Sequence, residues 1–245
     1  MSLQIIPIHL KNDIRPTDDL VELLLSSSKT TFENGDVLVI SQKIISKHEG
    51  RVVNLESIIP SELSIGIASA YDKDPKLVQA ILSESKRIVR MEHGVIIVET
   101  KHGFICANAG IDESNVESGY ATLLPKDSDQ SAQKIQLQIL QQTGKKIAVI
   151  ISDTSGRPFR MGQTDHAIGV SGMDTILHYE GTPDTFGKIL RVTATAIVDE
   201  LCSAAELVMG KTKKRPAAII KNFEFTANTG DIKSIIRSKE QDLFR

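Results

Sequence analysis

The chain contains no tryptophan, and only 4% of its residues are aromatic. Its formal net charge of −2 at pH 7 means that it also lacks the basic surplus typical of nucleic-acid-binding domains. Both deficits argue against an extended nucleic-acid surface. One basic cluster spans residues 211–215, and an exposed loop or an anion site would each account for it.

Long apolar runs are missing as well. A membrane-spanning helix needs about 18 consecutive apolar residues, and the chain has no such run and no basic-then-apolar secretion signal at its start. We therefore expect no membrane partner and a cytoplasmic location. The two cysteines, Cys106 and Cys202, lie in apolar runs without zinc-ligand spacing, which predicts buried free thiols in a reducing compartment.

The 245 residues, 40% hydrophobic and 24% charged, are enough to bury a large core. We predict one domain over residues 1–245, which two subdomains could make up. Helical and strand patterns mix without regular alternation, which favours an α+β fold with mixed or antiparallel sheets.

Apolar periodicity and turn residues locate the elements. Strands are predicted at 5–8 (a sheet edge, because Pro7 lacks a donor), 36–41, 94–100, 104–107, 146–151 and 217–220. Strands 94–100 and 104–107 are expected to pair as a hairpin around residues 101–103. Helices are predicted from Leu20 onward, at 61–71, 74–86, 131–142, 193–209 and 232–244, and a loop returning to a strand at 163–170. Asp74 and Pro75 open the helix at 74–86 as cap and first helical residue, and Gly210 is expected to end the helix at 193–209 in a left-handed conformation.

Polar residues follow the predicted strand 146–151 abruptly. Asp153 and Thr154 come directly after it, and open sheets commonly place ligand groups at the carboxyl ends of strands. A carboxylate beside a hydroxyl suits a hard divalent cation. Asp112, after the small residues 107–110, could supply a second carboxylate. Alternatively, Asp153 caps a turn and Asp112 lies in an exposed loop.

Residues 205–212 nearly match a phosphate-binding P-loop, with alanine at the first glycine position. A P-loop follows a strand and opens a helix, whereas here the predicted helix comes first. This order argues against a Walker-type fold, although Lys211, Lys213, Lys214 and Arg215 could contact a polyphosphate through their charges.

Three further residues lie near the polar segments. His102 and His166 are the histidines that could take part in chemistry, and Asp165 could be a ligand or a cap. The residues alone thus indicate a cytosolic enzyme with an oxygen-ligated metal and a nucleoside triphosphate partner.

Four segments resemble motifs of one known family, the GTP-dependent F-420-0:γ-glutamyl ligases, which add glutamate to the deazaflavin coenzyme F-420. These segments are 41–51, 108–116, 152–157 and 204–210, in the family's order. The resemblance implies the family's unusual α+β fold in an intertwined homodimer. It also implies GTP, L-glutamate and coenzyme F-420-0 as partners, Mg²⁺ or Mn²⁺ as cofactor, and K⁺ as a possible further ion.

The resemblance also implies site residues. The metal ligands would be Asp112, Asp153 and Thr154, and the GTP contacts would be Lys11, Asn12, Asp13, Ile14, Gln42, Lys43, Lys47, Asn115, Met209, Gly210 and Lys211. The chain departs from the family at Lys211, where relatives often carry an acidic metal ligand. A lysine cannot bind a cation, which leaves open whether a second metal site exists in this chain. The lysine could contact phosphate directly instead.

The implied reaction transfers a phosphoryl group from GTP to the acceptor carboxylate, and the glutamate amine attacks the resulting acyl phosphate. The sequence identifies no general base, so the catalytic residues stay unknown. Two alternatives are open: a ligase of the same fold acting on another phosphorylated carboxylate, and a non-catalytic nucleotide- or metal-binding regulator.

Overall fold

The computed structural model describes residues 1–243, which form six α-helices and twelve strands. The helices are α1 (Leu20–Ser27), α2 (Gln42–His48), α3 (Glu62–Tyr71), α4 (Pro75–Ser83), α5 (Ser128–Thr143) and α6 (Ile197–Met209). The strands are β1 (Gln4–Ile8), β2 (Val37–Ser41), β3 (Val52–Asn54), β4 (Ser85–Glu92), β5 (Val95–Thr100), β6 (Ile105–Ala107), β7 (Tyr120–Thr122), β8 (Ala148–Arg157), β9 (Arg160–Ser171), β10 (Leu177–His178), β11 (Ala194–Thr195) and β12 (Ala217–Lys221).

A five-stranded sheet in the order β1-β12-β2-β8-β9 forms the centre. Strands β2 and β8 are parallel, with Ser41 opposite Ser152, and the other neighbours are antiparallel. The central segments of the three middle strands are apolar and rich in alanine, valine and isoleucine, because both faces of the sheet are covered there. Residues 37–40, 148–151 and 217–220 are accordingly 0% exposed.

Successive residues of these strands face two different layers. Leu38 and Ile40 pack with helices α1 and α5 on one face, and Val37 and Val39 pack with helix α6 on the other. Helix α5 lies very close to β9, because a Cβ added at Gly169 would be 2.4 Å from the carbonyl carbon of Ser128.

A smaller antiparallel sheet, β4-β5-β6, packs against α3 and α4 around its own apolar cluster. After β6 the backbone turns through Asn108, Ala109 and Gly110, all at positive φ (52°, 56° and 70°). This left-handed turn leads to Asp112, which pairs with Thr122 in an isolated bridge. The turn thereby directs the 106–115 segment toward β8.

The predicted α+β class with mixed and antiparallel sheets is confirmed. The edge position of β1, the β5–β6 hairpin and the opening of α4 by Asp74 and Pro75 are confirmed too. Helix α6 precedes β12, which is the reverse of P-loop order. Within residues 1–243, helices long and apolar enough to cross a membrane are absent.

Two predictions about the central hairpin are wrong. Strand β8 does not end before Asp153 but continues to Arg157, and residues 163–170 lie inside β9 rather than in a loop. Pairing between the two strands accounts for both differences, because β9 supplies backbone partners to the polar stretch.

Other boundaries also differ from the prediction. Helix α2 follows β2 without a turn, helix α4 stops at Ser83 before strand β4, and α6 begins only at Ile197. The predicted helix 232–244 is a short 3₁₀ turn, Ile232–Ile235, without further helix up to residue 243; Phe244 lies outside the described residues. Both cysteines are free, but only Cys202 is buried, and Cys106 is partly exposed.

Candidate functional site

A cavity of about 870 Å³ lies where the parallel strands β2 and β8 carry their polar residues. Its wall combines five parts of the chain: the loop before α1, helix α2, the 106–115 segment, the polar part of the β8–β9 hairpin and the loop after α6. Nearly every residue of the predicted site lines this cavity: Asn12, Asp13, Ile14, Gln42, Lys43, Lys47, Asp112, Asn115, Asp153, Thr154, Met209, Gly210 and Lys211. Lys11 is the exception.

Helix α2 carries the first cationic group of the wall. Lys47 is 7% exposed, and its ammonium donates to both carboxylate oxygens of Asp13 (2.7 and 2.8 Å) and to the backbone carbonyl of Asn115 (2.7 Å). Since an ammonium has three donors, the protein uses all of them. Lys47 thus joins the loop before α1 to the 106–115 segment.

One helical turn earlier, Lys43 binds the Asp112 carboxylate at 2.7 Å and the Ser114 hydroxyl at 2.7 Å. Burial acts to raise the pKa of Asp112, but hydrogen bonds from Lys43 and from the Ser114 backbone outweigh it and hold this pKa below its ordinary value. Asp112 is therefore ionised at neutral pH and has a positive partner.

Asp153 is in the opposite situation. Burial raises its pKa to about 6, the charges of Asp165 and Asp112 add to the rise, and His166 across the hairpin only partly offsets it. Burial and like charges disfavour the ionised form of Asp153, and a cation bound beside it would stabilise that form.

Asp112 and Asp153 fit a nucleotide-associated divalent cation. In the described part of the chain, groups of three or more His, Cys, Asp or Glu side chains suited to a metal are absent. Mg²⁺ usually takes only one or two carboxylates and completes its shell with water and substrate phosphates. Two acidic side chains in an open cavity match that pattern better than a closed metal cage does.

Thr154 fits a metal ligand less well, because its hydroxyl is already engaged. It donates to Asp165 Oδ1 at 2.6 Å and accepts from Lys211 Nζ at 2.5 Å. Lys211 also binds Asp165 Oδ1 directly at 2.8 Å. The sequence predicts Asp165 to be either a ligand or a cap. In the structure it is buried in β9 and accepts hydrogen bonds from Thr154 and Lys211.

Several predicted residues have structural contacts. Gln42 is 2% exposed and donates to Ser46 and to the Leu123 carbonyl. Met209 belongs to the core beneath α6. Gly210 caps that helix at φ 61°, ψ 169°, so its φ is positive as expected but its backbone is not in the left-handed helical region.

The two histidines differ in position. His166 lies on β9 opposite Asp153, with Nδ1 3.3 Å from the Ser155 hydroxyl, whereas His102 stacks on Phe104 away from the cavity wall. Cys106 does line the cavity. Burial and the Asp153 charge raise the pKa of its thiol to about 12, so it is not a thiolate nucleophile at neutral pH.

Asn108 is a cavity residue that sequence reasoning passed over. Its side-chain oxygen is buried and makes no hydrogen bond within the described structure, and its backbone is left-handed. Asparagine tolerates that conformation better than most residues, so the run Asn108-Ala109-Gly110 was the signal available in the sequence.

Comparison with known proteins identifies relatives along most of the chain. The family model described as F420-0:Gamma-glutamyl ligase matches residues 10–222. A protein of Methanothermobacter thermautotrophicus, named coenzyme F420:L-glutamate ligase, is 46% identical over 93% of this chain and 93% of its own length. Proteins of the same name from Methanocaldococcus jannaschii (48% identity; 87% of this chain, 86% of the relative) and Methanopyrus kandleri (41%; 100% and 98%) are similar over comparable lengths.

Proposed function

The chain belongs to the F420-0:Gamma-glutamyl ligase family, and on that premise we propose that it is a GTP-dependent ligase. It joins L-glutamate to coenzyme F-420-0 by an amide bond. The observation that carries this proposal is the convergence of Asp112, Asp153, Lys43 and Lys211 on one cavity at the polar ends of β2 and β8. Anionic phosphates and a divalent cation need this mixture of charges in one place.

Amide formation from a carboxylate requires activation, and phosphoryl transfer from GTP supplies it. Lys43 and Lys211 neutralise phosphate charge as the phosphoryl group moves to the acceptor carboxylate. The glutamate amine then attacks the acyl phosphate, forming the amide and releasing phosphate. Holding three reactants in one cavity removes an entropic cost worth up to about 7–11 kcal/mol when the geometry is right.

Asp112 and Asp153 would hold the divalent cation, Mg²⁺ or Mn²⁺. When bound, such an ion would offset the negative charge that develops on the phosphates. Lys43, whose ammonium lies 2.7 Å from the Asp112 carboxylate, would contact phosphate beside this site. Asn12, Asp13, Ile14, Gln42, Lys47, Asn115, Met209 and Gly210 complete the proposed GTP site, whereas the position of Lys11 outside the cavity wall does not support a contact from its side chain.

A homodimer is part of the proposal. Large apolar side chains are exposed on two stretches: Met161 (96%) near the tip of the β8–β9 hairpin, and Phe186 (96%) and Val192 (91%) between β10 and β11. Exposed apolar patches commonly mark interaction sites. An intertwined partner that covers these stretches would bury them.

Mass spectrometry tests the function directly. The protein is incubated with F-420-0, L-glutamate, GTP and Mg²⁺ or Mn²⁺, with and without K⁺, and ATP replaces GTP in the control. We expect glutamylated F-420 and GDP only with GTP. Turnover with a different carboxylate but not F-420-0 would indicate the alternative ligase, and GTP binding without any product would indicate a regulator.

A further inference from the structure

We propose that Lys211 supplies a built-in cation next to the phosphate site, so that the chain binds only one divalent ion, at Asp112 and Asp153. This inference rests on the proposed function, because it concerns the charges that accompany the nucleotide. Its basis is the disagreement between Thr154 as an implied metal ligand and the contacts that Thr154 makes in the structure.

The Asp165 carboxylate is the group that holds Thr154 and Lys211 in place. It is 6% exposed and accepts hydrogen bonds from Ser152 Oγ (3.3 Å), Thr154 Oγ1 (2.6 Å) and Lys211 Nζ (2.8 Å). A buried carboxylate needs a positive partner. Among residues 1–243, Lys211 is the residue that forms a salt bridge with it.

Thr154 has little capacity left for a metal. Its single proton goes to Asp165, and one of its two lone pairs accepts from Lys211 at 2.5 Å. A divalent ion on the other lone pair would lie beside an ammonium group, and the two cations would repel each other. The ammonium therefore excludes a second metal from this position.

Lys211 is also placed to act on a ligand. Its side chain is 56% exposed and lines the cavity. Two of its three donors are satisfied by Thr154 and Asp165, and the Glu206 carboxylate, at 3.8 Å, lies beyond hydrogen-bond distance. One N–H is thus available to a phosphate oxygen, while the Asp165 carboxylate holds the ammonium in place.

The test counts Mn²⁺ ions bound per protomer by electron paramagnetic resonance, in the presence of saturating GDP, with GDP binding measured in the same samples. We expect about one ion in the wild-type protein. In Lys211→Ala the freed Asp165 carboxylate and Thr154 hydroxyl should accept a second ion, which gives about two. The double variant Lys211→Ala/Asp165→Asn should return to about one.

Lys213→Ala is the matched control, because Lys213 is an exposed lysine of the same loop that does not line the cavity; it should bind one ion like the wild type. Two Mn²⁺ ions in the wild type, or one in Lys211→Ala, would overturn the inference and leave the proposed function intact. A wild-type protein that binds no GDP would overturn both.

Discussion

Replacing Asp153 by asparagine should stabilise the protein when metal is absent. Asp153 has its pKa raised from 3.8 to about 6 by burial, with like charges adding to the rise. A carboxyl group with a raised folded-state pKa binds more protons in the folded than in the unfolded protein between these values. Its contribution to stability therefore falls as the pH rises from about 4 to about 6.

The size of this effect follows from the shift. The pKa of Asp153 rises from 3.8 to about 6, and about 1.4 kcal/mol per pKa unit gives an upper limit near 3 kcal/mol for the gain in the free energy of unfolding. Because the side chain is partly accessible to solvent, we expect Asp153→Asn to gain about 1–3 kcal/mol at pH 7. Asparagine keeps the shape and one acceptor oxygen. Below pH 4 both proteins carry a neutral side chain here, so the difference should vanish.

Urea unfolding in EDTA at several pH values measures this. Asp112→Asn is the control of opposite sign, because Lys43 and Ser114 lower the pKa of Asp112; removing that carboxylate should cost stability at pH 7 and less as the pH falls through its lowered pKa. If Asp153→Asn is no more stable than wild type at pH 7, or its gain persists unchanged below pH 4, then burial and like charges do not destabilise the ionised Asp153 side chain.

Three further predictions concern catalysis, assembly and packing. Asp112→Asn and Asp153→Asn should each abolish metal-dependent GDP release with the fold retained by circular dichroism; release comparable to wild type would contradict the proposed metal site. Light scattering at micromolar concentration should give about 54 kDa, twice the 26.8 kDa of the chain, and a single 26.8 kDa species would contradict the dimer. Gly169→Ala should cost about 1–3 kcal/mol through overpacking against Ser128, whereas Gly66→Ala, in open space on α3, should stabilise by up to about 1 kcal/mol in the same urea assay.

The sequence predicts the middle of the sheet well because local composition decides it there. Strands β2 and β12 and the first half of β8 are short apolar runs rich in β-branched residues, which favours burial. Asp74-Pro75 marks a helix start by capping chemistry. Helix α2 was not predictable in the same way. It has seven residues, follows β2 directly, and lacks a side-chain cap at Ser41.

The contact between Thr154 and Asp165 is a part of the site that the sequence does not predict. A tight hairpin turn would pair Thr154 with residue 163, but register irregularities between Gly156 and Arg157 bring it opposite Asp165 instead. Such an irregularity depends on how two strands pair, which the composition of one segment does not reveal. Asp, Ser, Gly and Pro in 152–158 favour a turn locally, so the local signal pointed away from the strand that forms.

The position of β12 has a consequence for how the protein is made. Strand β12 lies between β1 and β2, so β1 has no sheet neighbour other than β12 in the described structure. Ala217, the partner of Ile8, follows it in the chain by 209 positions. At about 5–20 residues per second, a ribosome needs roughly 10–40 s to bridge that interval. During synthesis, β1 therefore has no sheet partner until β12 emerges from the ribosome. The Leu10 amide donates to the Lys214 carbonyl (3.1 Å), and both residues line the cavity, so the cavity wall is completed in the same late event.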